Sequence, residues 1–314
     1  MNRGRGAGPG PSAGFGRSAG PGPSAGFGPG ASGDRPVSAI QRDREAYLRA
    51  RSRRSTAVAV ASTLVFALLG YLAITQSPGW PRVQASFFDP EVARGALPRV
   101  LRGLWVNLQL LVVCEILVLG LGLAVAALRT LRGPVFLPVR LLAATYTDIF
   151  RGFPLIICLY VIGFGIPGLR LQGVPTSPFV LGAAALVLTY GAYVAEVFRA
   201  GIESVHPSQR AAARSLGLTY GQSMRLVVIP QAVLRVLPPL LNDFVALQKD
   251  VGLVSLLGVV DAVRAAQIES ARYFNFTPYV VAGLLFIALA VPTARLADYA
   301  AARLERRQSQ GGAA

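Results

Sequence analysis

Residues 56–75 read TAVAVASTLVFALLGYLAIT, a run of twenty residues without a charged side chain. A helix rises about 1.5 Å per residue, so this run is long enough to cross a hydrocarbon core of about 30 Å. The whole chain of 314 residues is 53% hydrophobic and only 15% charged. The run therefore predicts a membrane protein.

The segment before this run has two parts. Residues 1–37 are rich in Gly, Pro, Ala and Ser, and the block GPGPSAGFG at Gly8–Gly16 recurs at Gly20–Gly28. Such a segment buries too little apolar surface to offset its ordering entropy, so we predict a disordered tail. Residues 38–55 are strongly basic, and the positive-inside rule places them and the tail in the cytoplasm. A patch that binds lipid headgroups is the alternative interpretation of these arginines.

Further apolar blocks follow the first span, which we assign to residues 56–76. Their approximate ranges are 104–128, 155–168, 179–197, a segment from 231 onward, and 279–296. The sequence therefore predicts an all-α membrane protein with about six transmembrane helices and both termini in the cytoplasm. Arginines gather at the ends of these blocks, so topology explains the formal charge of +16 without nucleic acid. Arg94, Arg99 and Arg102 lie on the external side and do not follow the rule.

A polar and basic segment interrupts the apolar blocks between Glu196 and Pro230. Pro207 suits the first position of a helix, Gly217 suits a left-handed stop, and Thr219 to Gln222 has the spacing of a capping box. We expect Pro230 to end the second helix, because proline interrupts helical hydrogen bonding. The segment is thus predicted to be a cytoplasmic helix-turn-helix hairpin. Its first helix would carry Ala212, Ala213 and Leu216 on an apolar face and Arg210 and Arg214 on a basic one.

Polar residues also fall inside the predicted spans. Glu115 lies near the middle of the second span, where a carboxyl costs about 2.5 kcal/mol or more unless it faces the bundle. Both a transport role and a structural hydrogen bond remain open for it. Pro238, Pro239, Asn242 and Asp243 interrupt the fifth span. Such a segment either borders a pathway or forms a kinked helix with a polar end.

Several kinds of chemistry lack their residues in this sequence. Lys249 is the only lysine, and no GxxxxGK[ST] loop surrounds it, so the chain has no phosphate cradle of that type. Cys114 and Cys158 form no CxxC or Cys/His cluster, and we interpret them as core residues. His206 has no neighbouring ligand set and suits the position before the helix at Pro207. We therefore expect no enzymatic activity, no metal site and no cofactor.

Four stretches resemble one protein family. Residues 211–218 read AAARSLGL and are followed by IPQA at 229–232, which resembles the EAA motif of permease subunits of bacterial ABC importers. FRGFPL at 150–155 resembles the FRGxPL sequence of the polar amino-acid permeases. Residues 242–258 are similar to their segment ending KDxxLVSxxGV, and GLWVNL at 103–108 matches their usual start. Ala211 stands where the family usually has glutamate.

The resemblance implies an organisation and a set of partners. An importer transmembrane domain of five helices would occupy residues 101–303, preceded by one extra span and followed by a tail at 304–314. The family acts in the bacterial inner membrane with two copies of an ATP-binding subunit, an extracytoplasmic amino-acid-binding protein and a second permease subunit, identical or homologous. Membrane lipid would surround the helices. The amino-terminal extension resembles that of some glutamate-type permeases, which favours a glutamate or glutamine type of substrate.

The resemblance also assigns candidate residues. Those that would couple the hairpin to the ATPase are Arg210, Ala211, Ala212, Ala213, Arg214, Leu216, Gly217, Arg225 and Pro230. Those that would contact the substrate along its pathway are Asn242, Asp243, Lys249, Arg151 and Glu115. An amino acid carries an ammonium and a carboxylate, so its site needs both acceptors and donors. Two alternatives remain, namely an ion-coupled secondary transporter of small solutes, with Glu115 as its proton-linked carboxylate, and a membrane scaffold protein.

Overall fold

The computed structural model describes residues 39–131 and 133–311, with side chains from 55 to 304 except at position 132. Every regular element in these ranges is helical, so the predicted all-α class is confirmed. The chain divides after Ile74 into two units. The helix α1 (Ala39–Thr75) lies in the first unit except for its last residue, and this single helix covers nearly all of the basic segment and of the first span. The predicted tail at 1–37 lies outside the described residues, as does part of the tail at 304–314.

The second unit contains the other helices. They are α2 (Trp80–Phe87), α3 (Pro90–Thr130), α4 (Leu137–Gly152), α5 (Leu155–Tyr160), α6 (Ile166–Gly168), α7 (Pro178–Glu203), α8 (Pro207–Ser215), α9 (Tyr220–Ser223), α10 (Ile229–Asp250), α11 (Ala262–Tyr273) and α12 (Thr277–Gly311). Short 3₁₀ segments lie at Pro134–Phe136 and Val251–Leu257, and wider π turns lie at Val161–Gly165 and Met224–Val228.

Five helical segments of the described chain are long and apolar enough to cross a membrane. They are Ser55–Thr75, Trp80–Thr130, Pro178–Glu203, Tyr220–Leu257 and Thr277–Leu304. A bent pair, Pro134–Gly152 and Leu155–Gly168, forms a sixth when it is counted as one span. The prediction of about six transmembrane helices is confirmed on that count.

A proline shapes the bent pair. The two halves of the pair meet at 106° around Pro154, because Phe153 is extended, as residues before proline tend to be.

The second span was predicted too short. Helix α3 begins at Pro90 rather than near Leu104, because the Asp89 side chain accepts hydrogen bonds from the N–H groups of Glu91 and Val92 and so caps an earlier start.

The core of the second unit lies where α3, α5 and α7 meet the end of α10 and the 3₁₀ segment after it. Helix α3 packs along α7. Leu110, Leu159 and Leu186 are fully buried there. Cys114 and Cys158 lie in the same cluster as free thiols, which agrees with their interpretation as core residues.

A tight contact joins α3 to the start of α11. Asn107 Nδ2 donates to Asp261 Oδ2 at 2.9 Å, and Asn107 Oδ1 accepts from the N–H of Ala262 at 2.9 Å. Burial raises the pKa of the Asp261 carboxyl, and the hydrogen bonds it accepts oppose that shift. A Cβ added at Gly103 would lie 2.4 Å from the Asp261 carbonyl carbon. The GLWVNL stretch therefore contains two of the residues that hold the start of α11 against α3.

Candidate functional site

Two cavities lie side by side in the second unit, with volumes of about 360 and 430 Å³. We call them the first cavity and the hairpin-side cavity. Three side chains line both and form what we call the neck, namely Arg151 at the end of α4, Tyr193 on α7 and Asp243 on α10. The neck thus brings a cation, a phenol and an anion from three helices to one place.

The arginine of the neck is held by the tyrosine. Tyr193 Oη donates to the Arg151 carbonyl oxygen at 3.0 Å, and the Arg151 guanidinium carbon lies 5.8 Å from the centre of the Tyr193 ring. Among the described side chains, no carboxylate forms an ion pair with Arg151. The guanidinium is therefore available to a ligand.

The carboxylate of the neck is also available. Asp243 Oδ2 is buried and has no hydrogen-bond partner among the described residues. A charged group at membrane depth is stable only where it faces water, a partner or the interior of the bundle. An acceptor and a donor that both lack partners fit the ammonium and carboxylate of an amino acid.

The first cavity contains a second carboxylate, Asp250, in addition to Asp243 of the neck. Tyr190 Oη donates to Asp250 Oδ2 at 2.7 Å, and both residues line the cavity. Pro239, Asp243 and Asp250 follow at i, i+4 and i+11, so one face of α10 supplies lining to both cavities. The first cavity contains two carboxylates and one guanidinium, and its charge is therefore negative.

The hairpin-side cavity has a different charge balance. Glu196 lines it but already accepts hydrogen bonds from Arg129 Nη1 at 2.8 Å and from Arg199 Nε at 3.1 Å. Arg129 also donates to Thr147 Oγ1 at 3.0 Å, so this network connects α3, α4 and α7. Arg235 on α10 lines the same cavity and donates to the carbonyl oxygen of Ser204 just after α7.

The predicted hairpin forms between α7 and α10. His206 precedes α8 as its N-cap and accepts from the N–H of Ser208 at 3.2 Å, as expected from its place before Pro207. Helix α8 ends with Gly217 at φ +78, where its N–H bonds to Arg214 and the N–H of Leu218 bonds to Ala213. The capping box of Thr219 and Gln222 is present in full. The capping signals in the sequence are thus confirmed.

Two expectations about the hairpin were wrong. Pro230 does not end the second helix, since α9 continues through the π turn at Met224–Val228 into α10. A proline ring clashes with the carbonyl four residues earlier, and the wider turn before Pro230 changes the hydrogen-bond register at that point. Leu216 is 81% exposed rather than packed with Ala213, which is buried.

The structure assigns different surroundings to the candidate coupling residues. Arg210 donates from Nη2 to the Ile202 carbonyl oxygen at 2.5 Å, so its side chain is directed back to α7. Ala213 is buried. The exposed members are Ala211, Ala212, Arg214, Leu216, Gly217, Arg225 and Pro230. Ala211, Ala212, Arg214, Leu216 and Gly217 lie in α8 and the turn after it, whereas Arg225 and Pro230 lie in the π turn and at the start of α10.

The candidate pathway residues also separate. Arg151 and Asp243 meet in the neck. Glu115 is half-buried on α3 and lies near enough to Asp243 for the two carboxylates to interact, but it lines neither cavity. Asn242 and Lys249 are exposed and lie outside both linings, because each points to another face of α10 than Asp243.

Sequence reasoning did not assign Tyr190, Tyr193, Asp250 or Arg235 to this site. A signal for three of them was present. Tyr190 and Tyr193 are three residues apart on an apolar helix, and Asp250 lies two turns after Asp243, so each pair shares a face. Arg235 gave no such signal, because only the approach of α7 to α10 brings it to a cavity.

Comparisons with known proteins agree with this architecture. The family model described as binding-protein-dependent transport system inner membrane component matches residues 102–306. The arginine transport system permease protein ArtQ of Bacillus subtilis (strain 168) is 35% identical over 196 residues, which cover 62% of this chain and 86% of the relative.

Solved structures show the same similarity. A crystal structure of an amino acid ABC transporter with histidines matches with a TM-score of 0.60 at 33% identity, over 66% of this chain and 94% of that chain. An inward-facing structure of the MetNI methionine ABC transporter matches with a TM-score of 0.54 at 20% identity, over 65% of this chain and 95% of that chain. The second match bears on the fold alone.

Proposed function

We propose that this chain, which belongs to the family of binding-protein-dependent transport system inner membrane components, forms the translocation pathway of an ATP-driven amino-acid importer. Members of the family are membrane permease components and not ATPases. Relatives named as amino-acid permeases support the substrate class. The family also argues against an ion-coupled secondary transporter and against a scaffold, because neither works as the membrane component of such a system.

The single observation that carries the proposed substrate class is the neck. Among the described residues, the Arg151 guanidinium forms no ion pair and Asp243 Oδ2 accepts no hydrogen bond, and both residues line a common space. We assign Arg151 to the carboxylate of the amino acid and Asp243 to its ammonium. Glu115 on α3 would change the electrostatic potential at Asp243. Any contact of Asn242 or Lys249 with the substrate would lie outside the two cavities.

The hairpin is the proposed contact with the ATP-binding subunits. Its exposed surface offers Ala211, Ala212, Leu216 and the Gly217 turn, with Arg214 and Arg225 as cations on its rim. Ala211 removes the charge that the family usually has at this position, so the contact would be chiefly apolar, with Leu216 as its largest side chain. Coupling requires an element with two arrangements whose equilibrium both partners bias. A hairpin that is capped at each helix and joined to α7 and α10 would transmit such a change to the membrane helices as one rigid piece.

The remaining parts of the assembly follow from the family. Two ATP-binding subunits would bind the hairpins of two permease subunits, identical or homologous, and an extracytoplasmic binding protein would deliver the amino acid from the opposite side. The hairpin and both termini would then be cytoplasmic in a bacterial inner membrane. The basic residues of α1 before the first span support this orientation.

Copurification tests the proposal. The tagged chain is purified from its native membrane together with its partners, and a variant that lacks residues 204–230 is purified in parallel. We expect an ATP-binding subunit to accompany the full chain and to be lost from the variant. Uptake of labelled amino acids into proteoliposomes should require ATP and persist when ionophores remove ion gradients. Uptake that follows an ion gradient without ATP would contradict the proposal.

A further inference from the structure

Arg235 has no role in the function as described so far. It is exposed, lies on α10 two turns before Asp243, and lines the hairpin-side cavity. Among the described side chains it forms no ion pair, and its one recorded bond is to the backbone carbonyl of Ser204. A guanidinium has five N–H donors, so one such bond leaves most of its capacity for a ligand.

The two cavities differ in the sign of their available charge. The first cavity has Asp243 and Asp250 against Arg151. The hairpin-side cavity has Arg151 and Arg235 against Asp243 and Glu196, and Glu196 is already neutralised by Arg129 and Arg199. An ammonium is therefore favoured in the first cavity and a carboxylate in the second.

The two cavities also share part of their lining. Arg151 belongs to both, so a carboxylate bound to Arg151 in the first cavity can remain on the same guanidinium while its molecule enters the second. Arg235 then offers the next cation toward the hairpin. Bidentate pairing of guanidinium with carboxylate gives such a contact both strength and orientation.

We propose that the hairpin-side cavity is a second amino-acid position, in which Arg235 binds the α-carboxylate of the substrate after it leaves the neck and before its release. The inference rests on the proposed function, since it assumes that an amino acid passes the neck. It extends that function by adding a site that receives the substrate from the neck. The carboxylate, rather than the side chain, is what this site recognises.

Equilibrium dialysis of the purified, nucleotide-free transporter complex tests the proposal, with radiolabelled arginine and glutamine as probes. We expect two molecules to bind per permease chain with different affinities. Arg235→Gln should weaken the second site about tenfold or more and leave the first unchanged. The melting temperature of the complex is measured in parallel, because a purely structural role of Arg235 in holding the Ser204 carbonyl would lower it and would weaken both sites together.

Three controls make the result specific. Arg235→Lys, which keeps the charge but loses the bidentate fork, should bind more weakly than the wild type and more tightly than Arg235→Gln, and Arg295→Gln, which removes an exposed charge from α12 away from both cavities, should retain the second site in full. The α-amides of the two amino acids, which lack the carboxylate, should not occupy the second site. One site in the wild-type complex, or an unchanged second site in Arg235→Gln, would overturn the inference. Failure of the wild-type complex to bind either amino acid would instead contradict the proposed function and the inference with it.

Discussion

The Nη2 atom of Arg210 lies 2.5 Å from the carbonyl oxygen of Ile202, so the first helix of the hairpin is attached by a side chain to the last turn of α7. Arg235 reaches the carbonyl of Ser204 from the other side, on α10. The last carbonyls of a helix lack partners within it, and guanidinium groups satisfy them well. Arg210 thus ties α8 to the last turn of α7, and Arg235 ties α10 to the residue that follows α7.

Arg210→Ala should loosen this attachment. A hydrogen bond from a charged donor contributes about 1.5 to 3 kcal/mol, and the Ile202 carbonyl would lose its partner. We expect fewer amino acids transported per ATP hydrolysed, measured in proteoliposomes, with normal insertion into the membrane. Gln209→Ala is the matched control for the attachment, because Gln209 is exposed on the same helix and is not among the residues assigned to the contact with the ATP-binding subunit. An equal transport ratio in the Arg210 variant and the wild type would rule out this role.

Gly217→Val should change the shape of the hairpin turn. Gly217 has φ +78, and an L residue in the left-handed region costs about 1 to 2 kcal/mol. We expect ATP hydrolysis to continue while uptake falls, because the docking surface moves relative to α7 and α10. Gly221→Ala is the control, since a Cβ there meets nothing within 4 Å and the residue is helical. Wild-type uptake by the valine variant would refute the prediction.

Gly103→Ala should destabilise the second unit. The added Cβ would meet the Asp261 carbonyl carbon at 2.4 Å and the N–H nitrogen of Ala262 at 2.6 Å, and backbone cannot move aside cheaply. Overpacking of this kind costs about 1 to 3 kcal/mol. The melting temperature in detergent should therefore fall. Gly120→Ala lies on the same helix with nothing within 4 Å, and it should melt as the wild type does. Equal melting of both variants would count against the close contact.

Asp243→Asn should weaken substrate binding at the neck. The variant keeps the size of the side chain but removes the charge that faces an ammonium, so affinity should fall about tenfold or more. Direct binding to the nucleotide-free complex is the suitable measurement, because uptake also reflects the binding protein. Asp298→Asn, an exposed position on α12 outside both cavities, controls for charge. Unaltered affinity in the Asp243 variant would remove it from the site.

Local patterns predicted the hairpin well, and the reason is physical. Caps depend on residues three or four positions apart, so Thr219 with Gln222 and the glycine at 217 are visible in the sequence alone. The site was harder. Asp243 was singled out because charge at membrane depth is conspicuous, and Arg151 because it lies in the FRGFPL stretch, while Arg235 depends on the crossing of two helices, which no short pattern encodes.

The two wrong predictions of helix ends, at Pro230 and at the start of α3, have one cause. Pro230 was expected to end a helix because the rule considers an isolated α-helix, and the rule omits a wider turn that accommodates the ring. The early start of α3 was missed because hydropathy marks the apolar part of a helix and not its capped polar end at Asp89. Both cases concern where a helix begins or ends, which tertiary packing decides.

The π turn at Met224–Val228 sets the rotational phase between the hairpin and α10. Each residue of an α-helix turns the chain by about 100°, so the extra residue in the wide turn determines which face of α10 meets α7. Deletion of one residue there would keep α9 and α10 helical but rotate Asp243 and Arg235 together away from their cavities. The length of this one turn therefore sets how the hairpin surface proposed to meet the ATP-binding subunit is oriented relative to the face of α10 that lines the cavities.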